Sequence, residues 1–263
     1  MTGSPPEWTP PGLDAARPSA ARIQDALLGG GDHFEIDRMV ADRLRQVVPQ
    51  LSDVVAMARK FLRRAVRLLT DRGVDQFLDL GAGLPTRDNT HDMAPGARVV
   101  YVDIDPMVEA HMRLLLRENA DAAAITANVR NVDAVLEHPD TRRLLDFTRP
   151  IGVITLDVLC ALQDEDDPWG MVRSYMAALP SGSHLVAGDP HESGDPVADQ
   201  LEQALRMTSR GCVFRKPDVI ARYFDGLELL DPGLVPMAQW PDPRRRVLEP
   251  WERLMVCGVA VKP

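Results

Sequence analysis

Asp79, Gly81 and Gly83 stand together in QFLDLGAGLPTRDNTH, residues 76–91, where an apolar run closes on a carboxylate and two glycines follow with one residue between them. Glycine at such a turn bends the chain tightly and removes the Cβ atoms that hold a ligand away from the backbone. Amides exposed there, and at the start of a following helix, suit a negatively charged group. The next apolar run, YVDID, places Asp103 about twenty residues beyond the glycines, where a carboxylate accepts hydrogen bonds from ribose hydroxyls. Either feature alone fits ordinary strand–loop–helix geometry. Together they point to a nucleoside-containing ligand.

The choice of nucleoside follows from charge. A dinucleotide fingerprint, G-x-G-x-x-G, needs a third glycine, and this chain has Thr86 there with Pro85 before it. Asp79, two residues ahead of the first glycine, repels a diphosphate and attracts an ammonium group. S-adenosylmethionine carries an amino group, a carboxylate, a sulfonium and an adenosine without phosphate, so it suits the loop better than NAD. A methyltransferase is the expected reading, with an NAD-linked oxidoreductase disfavoured. Methyl transfer is an in-line displacement that alignment and exclusion of water promote, and a base is needed only where the acceptor must lose a proton. His91, just after the glycine loop, and His191, with Asp189 in GDPHES, are the histidines placed for such work. Each is equally explained as a polar residue of a helix start or a loop.

No metal site is expected. Cys160, Cys212 and Cys257 are far apart without zinc-ligand spacing, and read as small core residues. The run Asp164–Asp167 precedes Pro168, which is the pattern of a helix N-cap with proline in the first turn.

These residues need a scaffold that brings strand ends together. Stretches 76–80, 98–103, 123–127, 151–157 and 183–188 read as strands. Helices over 86–94, 106–118, 131–146, 168–178, within 195–210 and near 217–224 alternate with them, and a last pair of strands falls near 227–231 and 253–261. The alternation predicts an α/β fold with a mostly parallel sheet and an antiparallel pair at one edge. Three helices, over 19–28, 34–48 and 51–72, precede any strand. The domain reading is a proline-rich arm (1–18), a helical cap (19–74) and the cofactor-binding domain (75–263). Gly29-Gly30-Gly31 between the first two helices fits either a hinge or a terminator. Arg17 and Arg22 near it either reach a carboxylate of cofactor or substrate or, as exposed helical arginines ordinarily do, make no such specific contact.

The 263 residues suit one large domain, and 45% hydrophobic content supports a sizeable core. A net charge of −9 argues against a nucleic-acid surface; the short basic run Arg244-Arg245-Arg246 reads as a solvated loop. No apolar run is long enough to span a bilayer and the N-terminus lacks signal-peptide features, so neither membrane nor secretion is expected, and the location expected is cytoplasmic.

The stretches ARIQDALLGGGDHFEIDR (21–38), FLDLGAGLPTRDNTH (77–91), ARVVYVDIDP (97–106), DEDDPWGMV (164–172) and LPSGSHLV (179–186) resemble, in this order, a bacterial S-adenosylmethionine-dependent methyltransferase family long classed as a domain of unknown function. The resemblance covers roughly residues 17–191. It implies a class I, Rossmann-like methyltransferase with a seven-stranded sheet, helices on both faces, and N-terminal helices folded over the cofactor. It also implies Asp79, Gly81 and Gly83 around the methionine moiety, Asp103 at the ribose, and Ile104 and Asp105 beside the adenine. Asn128 falls at the adenine amino group and the Val129 amide at a ring nitrogen, with Asp157 to Leu159 lining the methyl-transfer side. Asp157 thereby joins His91 and His191 as a candidate for catalysis. The chain departs from many relatives at Cys160, where they carry His, near Ala26, where they carry an aromatic residue, and at Gly188-Asp189, where they carry Ser-His. Those departures leave cofactor binding intact and bear on the acceptor side. An enzyme acting on a small-molecule acceptor at oxygen or nitrogen is the leading expectation. A non-catalytic module that binds the cofactor is the alternative.

Overall fold

A computed structural model describes residues 10–86, 88–206, 211–244 and 247–263. The first nine residues of the proline-rich arm, and Arg245 and Arg246 of the basic run, lie outside the described residues. Arg244 pairs with Asp242 at 3.1 Å.

Three helices come first: α1 (Ala20–Leu27), α2 (Glu35–Val47) and α3 (Leu51–Asp71). Then β1 (Gln76–Leu80), α4 (Thr90–Met93), β2 (Arg98–Asp103), α5 (Pro106–Leu115) and β3 (Ala122–Thr126) follow. Next are α6 (Val132–Leu136), α7 (Pro139–Leu144), β4 (Gly152–Leu156), α8 (Pro168–Ala177) and β5 (His184–Pro190). The chain ends with α9 (Pro196–Arg206), α10 (Pro217–Ala221), β6 (Glu228–Leu229), β7 (Val235–Pro236) and β8 (Met255–Val261).

The sheet runs β3-β2-β1-β4-β5-β8-β6, the first five strands mutually parallel and β8 antiparallel to its neighbours. Strand order reverses between β1 and β4, so the carboxyl ends of β1, β2, β4 and β5 surround the crevice where ligands bind in open α/β sheets. Side chains alternate between the faces. Phe77, Val99, Tyr101, Ile154 and Val186 pack with Phe61, Val66 and Leu69 of α3, and Leu78, Val100, Val153 and Leu185 pack with Val172, Tyr175 and Met176 of α8. Each such Leu, Phe or Val contributes about 1.5–3 kcal/mol by leaving water.

Three expectations are corrected. The sheet has eight strands rather than seven, because the segment after α10 forms two short strands, β6 and β7, on the same edge of β8. Pro232 and Gly233 lie between them and break the pairing there. The helix expected over 131–146 is two helices, since Pro139 cannot continue one; His138 Nδ1 caps the second by accepting the Asp140 amide at 3.2 Å. The helix expected over 86–94 is only α4. Thr86, Asp88 and Asn89 lie outside it, and Asn89 Oδ1 accepts the Thr86 amide while Asp92 Oδ2 accepts the Asn89 amide, both at 3.0 Å.

Gly29-Gly30-Gly31 is tied down at its first two glycines. Gly29 has φ of 76°, and a Cβ on Gly30 would lie 1.9 Å from Asp25 Oδ1. The same carboxylate accepts the Asp32 amide at 2.9 Å and holds the His33 ring at 2.8 Å.

Candidate functional site

The glycine loop leaves β1 and leans on β2. The amides of Gly81 and Ala82 donate to the Val102 carbonyl at 2.7 and 3.1 Å. Gly81 has φ of 72°, and a Cβ there would stand 2.3 Å from Val158 Cγ2, so backbone conformation and space both require glycine. Asp103, closing β2, locks onto this loop: Oδ2 accepts the Gly83 amide at 3.0 Å and Oδ1 accepts the Asp105 amide at 2.9 Å. Each oxygen keeps a second lone pair, enough to receive two vicinal hydroxyls without losing the loop. Burial pushes this carboxyl up, and the two amides oppose the push.

Asp79 is buried in β1 and accepts the Thr90 hydroxyl at 2.7 Å. Burial raises its carboxyl to about 6; the Thr90 hydrogen bond and Arg59 work against that rise, and Asp103 adds to it. A carboxylate this short of countercharge suits an ammonium group. Arg59, from α3, donates to Thr86 Oγ1 at 2.6 Å and to the Asp88 carbonyl at 2.8 Å, and its buried Nε has no partner among the described residues. The loop thus offers a cation and an anion side by side, the complement of an amino-acid end. Arg59 escapes a sequence reading because it is one of four arginines, with Arg63, Arg64 and Arg67, in the single helix α3.

Across the switch point, Asp157 follows β4 with φ of 58°, a conformation L residues other than Asn and Asp seldom adopt. Its amide donates to the Gly188 carbonyl at 2.8 Å, and Oδ2 accepts Gln24 Nε2 of α1 at 2.8 Å. Cys160 Sγ lies 3.5 Å from Asp157 Oδ1. Asp189 of β5 is 2% exposed, and neither of its oxygens has a hydrogen-bond partner among the described residues. Burial, then the neighbouring Asp157, push its carboxyl well above the usual range; the Cys160 amide, Arg215 and Tyr223 offset part of this without closing a hydrogen bond of ordinary geometry. Ligand atoms of Asp157, Cys160 and Asp189 all lie within 4.8 Å of one another.

The helix α1 covers the crevice. Arg22, far from reaching toward a cofactor or substrate, is buried between Asp37 of α2 at 2.9 Å and Asp105 at 2.8 Å. Arg17 pairs with Asp14 on the surface. The space enclosed by Ala21, Gln24, Arg59, Gly83 and Thr86 is about 10 Å³, room for one water. That space is too small for a nucleoside. A wider surface groove, about 630 Å³, runs by Pro10, Pro106 and Leu114, and none of the strand-end carboxylates lines it.

The remaining sequence candidates divide. His91 is committed to Tyr101, whose hydroxyl accepts its amide at 2.9 Å and lies 2.7 Å from its Nδ1. His191 Nε2 sits 2.7 Å from the Arg253 carbonyl, and burial lowers its pKa, which leaves a neutral ring with Nδ1 as the acceptor nitrogen. Ile104 is 49% exposed at the end of β2, and Asp105 caps α5 by accepting the Met107 amide at 2.9 Å besides holding Arg22. Asn128 Oδ1 accepts the Arg130 amide at 3.0 Å, and the carbonyl of buried Val129 accepts the Tyr175 hydroxyl at 2.8 Å. The acidic run is structural: Asp164 pairs with Arg215, Asp166 with Arg130, and Asp167 caps α8 through the Gly170 amide.

A parallel sheet reversing at β1 and β4, with a glycine loop clasped by the carboxylate of β2, defines a class I methyltransferase of Rossmann-like architecture. The chain belongs to the S-adenosyl methyltransferase family, whose sequence profile matches residues 6–263, and is an S-adenosylmethionine-dependent methyltransferase. It is similar to a crystal structure from Thermobifida fusca YX, provisionally classed as a methyltransferase. The two are 41% identical over 97% of this chain and 99% of that one, with a TM-score of 0.92. It is also similar to a DUF574 family protein from Streptomyces avermitilis MA-4680, at 31% identity over 95% and 99% of the two chains and a TM-score of 0.89. Magnesium protoporphyrin IX methyltransferase from Synechocystis PCC 6803, solved with bound S-adenosylmethionine, shares the fold at 14% identity, over 97% of this chain and all of that one, with a TM-score of 0.55. No curated protein matches the chain. No helix among the described residues is long and apolar enough to cross a membrane.

Proposed function

We propose that the enzyme methylates a small-molecule acceptor, at oxygen or nitrogen, in the crevice between the glycine loop and the ends of β4 and β5. When bound, S-adenosylmethionine supplies a methyl group already activated by its sulfonium. Asp103 holds the ribose hydroxyls on the lone pairs its two amide contacts leave open. Asp79 takes the ammonium and Arg59 the carboxylate of the methionine end, beside Gly81 and Gly83. Asn128 and the Val129 amide receive the adenine edge, with Ile104 and Asp105 beside it. Asp157 faces the acceptor side, and α1, closing through Gln24, excludes water from it. His91, held by Tyr101, acts as a positioning residue. His191, neutral, is the histidine left to accept a proton.

The observation that carries this reading is the Asp103–Gly83 hydrogen bond at 3.0 Å, which fixes the carboxylate of β2 in register with the glycine loop. Calorimetric titration with S-adenosylmethionine, S-adenosylhomocysteine and NAD tests it. The two sulfur ligands bind and NAD does not. Asp103→Asn, which loses a charged acceptor for the ribose hydroxyls, weakens binding by about 1.5–3 kcal/mol, roughly tenfold or more. Tight NAD binding, or an Asp103→Asn variant with native affinity, would end the assignment.

A further inference from the structure

Asp157, Cys160 and Asp189 meet where two neighbouring parallel strands end, β4 giving the first two through its following turn and β5 the third. Their ligand atoms all lie within 4.8 Å of one another. Separations of this order need only small side-chain movements to reach the roughly 2.0–2.3 Å bonds of a tetrahedral ion. The Asp189 side chain is the independent sign that something belongs there. It is 2% exposed and directed into the group, and neither oxygen has a partner among the described residues. Burying a carboxylate in this way costs several kcal/mol unless a partner neutralises it. The nearest cation, Arg215, is already held by Asp164, Tyr223 and the Leu159 and Leu162 carbonyls.

We propose that Asp157, Cys160 and Asp189 form a binding site for a thiophilic divalent cation of the zinc class. The sulfur selects among cations. Magnesium and calcium take oxygen ligands, whereas a thiolate with carboxylates suits zinc and its first-row neighbours. An amine would gain from the carboxylates and nothing from the thiol. On binding, the Cys160 thiol gives its proton to solvent and the thiolate takes its place on the metal, as do any protons shared by the two carboxyls. Gln24 Nε2, 2.8 Å from Asp157 Oδ2, orients one ligand from outside the group. Three protein ligands leave a fourth position open, the arrangement of zinc sites that do chemistry. Sequence spacing gave no hint of this, because the ligands come from residues 157, 160 and 189 and only the sheet joins them.

The test uses the full chain, stripped with a chelator and titrated with cobalt(II), then separately with zinc(II) by calorimetry. Wild type takes up one equivalent of each, and cobalt develops a thiolate-to-metal charge-transfer band. Cys160→Ser abolishes that band, and Asp189→Asn weakens zinc binding by about tenfold or more. Circular dichroism verifies the fold of both variants, and if one fails to fold the other decides. Absence of uptake by wild type, or a band and affinity unchanged in whichever variant folds, overturns the proposal. No methyl transfer enters these readouts, so the site fails or stands separately from the acceptor reading.

Discussion

With Asp79 as the proposed ammonium site, its own ionisation is expected to couple to binding. Its carboxyl, raised to about 6 from 3.8, holds a proton between those values that the unfolded chain has already lost. Stability from this group is therefore full below about pH 4 and is lost as pH rises through 6, an effect of about 3 kcal/mol at most. Binding has the opposite sign, because an ammonium group needs the ionised carboxylate. Affinity for S-adenosylmethionine falls about tenfold from pH 7 to pH 5, measured calorimetrically. In Asp79→Asn, which still accepts the Thr90 hydroxyl, the profile over that range is flat and affinity is low throughout. A wild-type affinity independent of pH would remove Asp79 from the ammonium site. Asp79 and Asp103 are legible in the sequence because a carboxylate ending an apolar run is out of place there without a purpose. Arg59 and Gln24 are not, since each is one polar residue on an amphipathic helix and only the tertiary fold turns it toward the loop.

Helix α1 is held by charge as much as by packing. Arg22 is 2% exposed and bridges Asp37, 0% exposed, to Asp105, 7% exposed, while also donating to the Asp14 and Arg17 carbonyls. Removing it leaves two buried carboxylates uncompensated. Arg22→Ala is expected to cost about 3–5 kcal/mol of stability by urea denaturation. Loss of amide-exchange protection should begin over residues 20–27. Arg38→Ala, which removes the exposed i,i+3 pair with Glu35, leaves the midpoint essentially unmoved. Equal effects from the two would mean that Arg22 is no more than a surface residue. The same contrast marks the limit of reading elements from sequence. Periodicity placed α1, α2, α3 and the five parallel strands within a residue or two, because each has one face committed to a core. It failed where proline and side-chain caps act locally, at Pro139 and at Asn89 ahead of α4, and at β7, which is too short to show alternation.

At the scale of the whole molecule, the three N-terminal helices and the sheet share one core. Ile23, Leu27, Leu44, Phe61 and Leu69 belong to the same buried cluster as Phe77, Tyr101, Ile154 and Val259. Elements that bury their apolar faces only against one another unfold together, so the protein is expected to melt in a single calorimetric transition. The cofactor is expected to act on that transition as a whole, because the site proposed for it draws on α1, α3 and the ends of β1, β2 and β4. A ligand that binds only the folded chain adds about 2.7 kcal/mol at a hundred times its dissociation constant. For a chain of this size that raises Tm by roughly 5–10 °C. S-adenosylmethionine and S-adenosylhomocysteine should both produce the shift, with one transition before and after, and NAD at the same concentration should leave Tm in place. A cofactor-dependent shift confined to one of two resolved transitions would show that α1–α3 and the sheet are separate folding units, and that the crevice is closed by docking rather than by a common core.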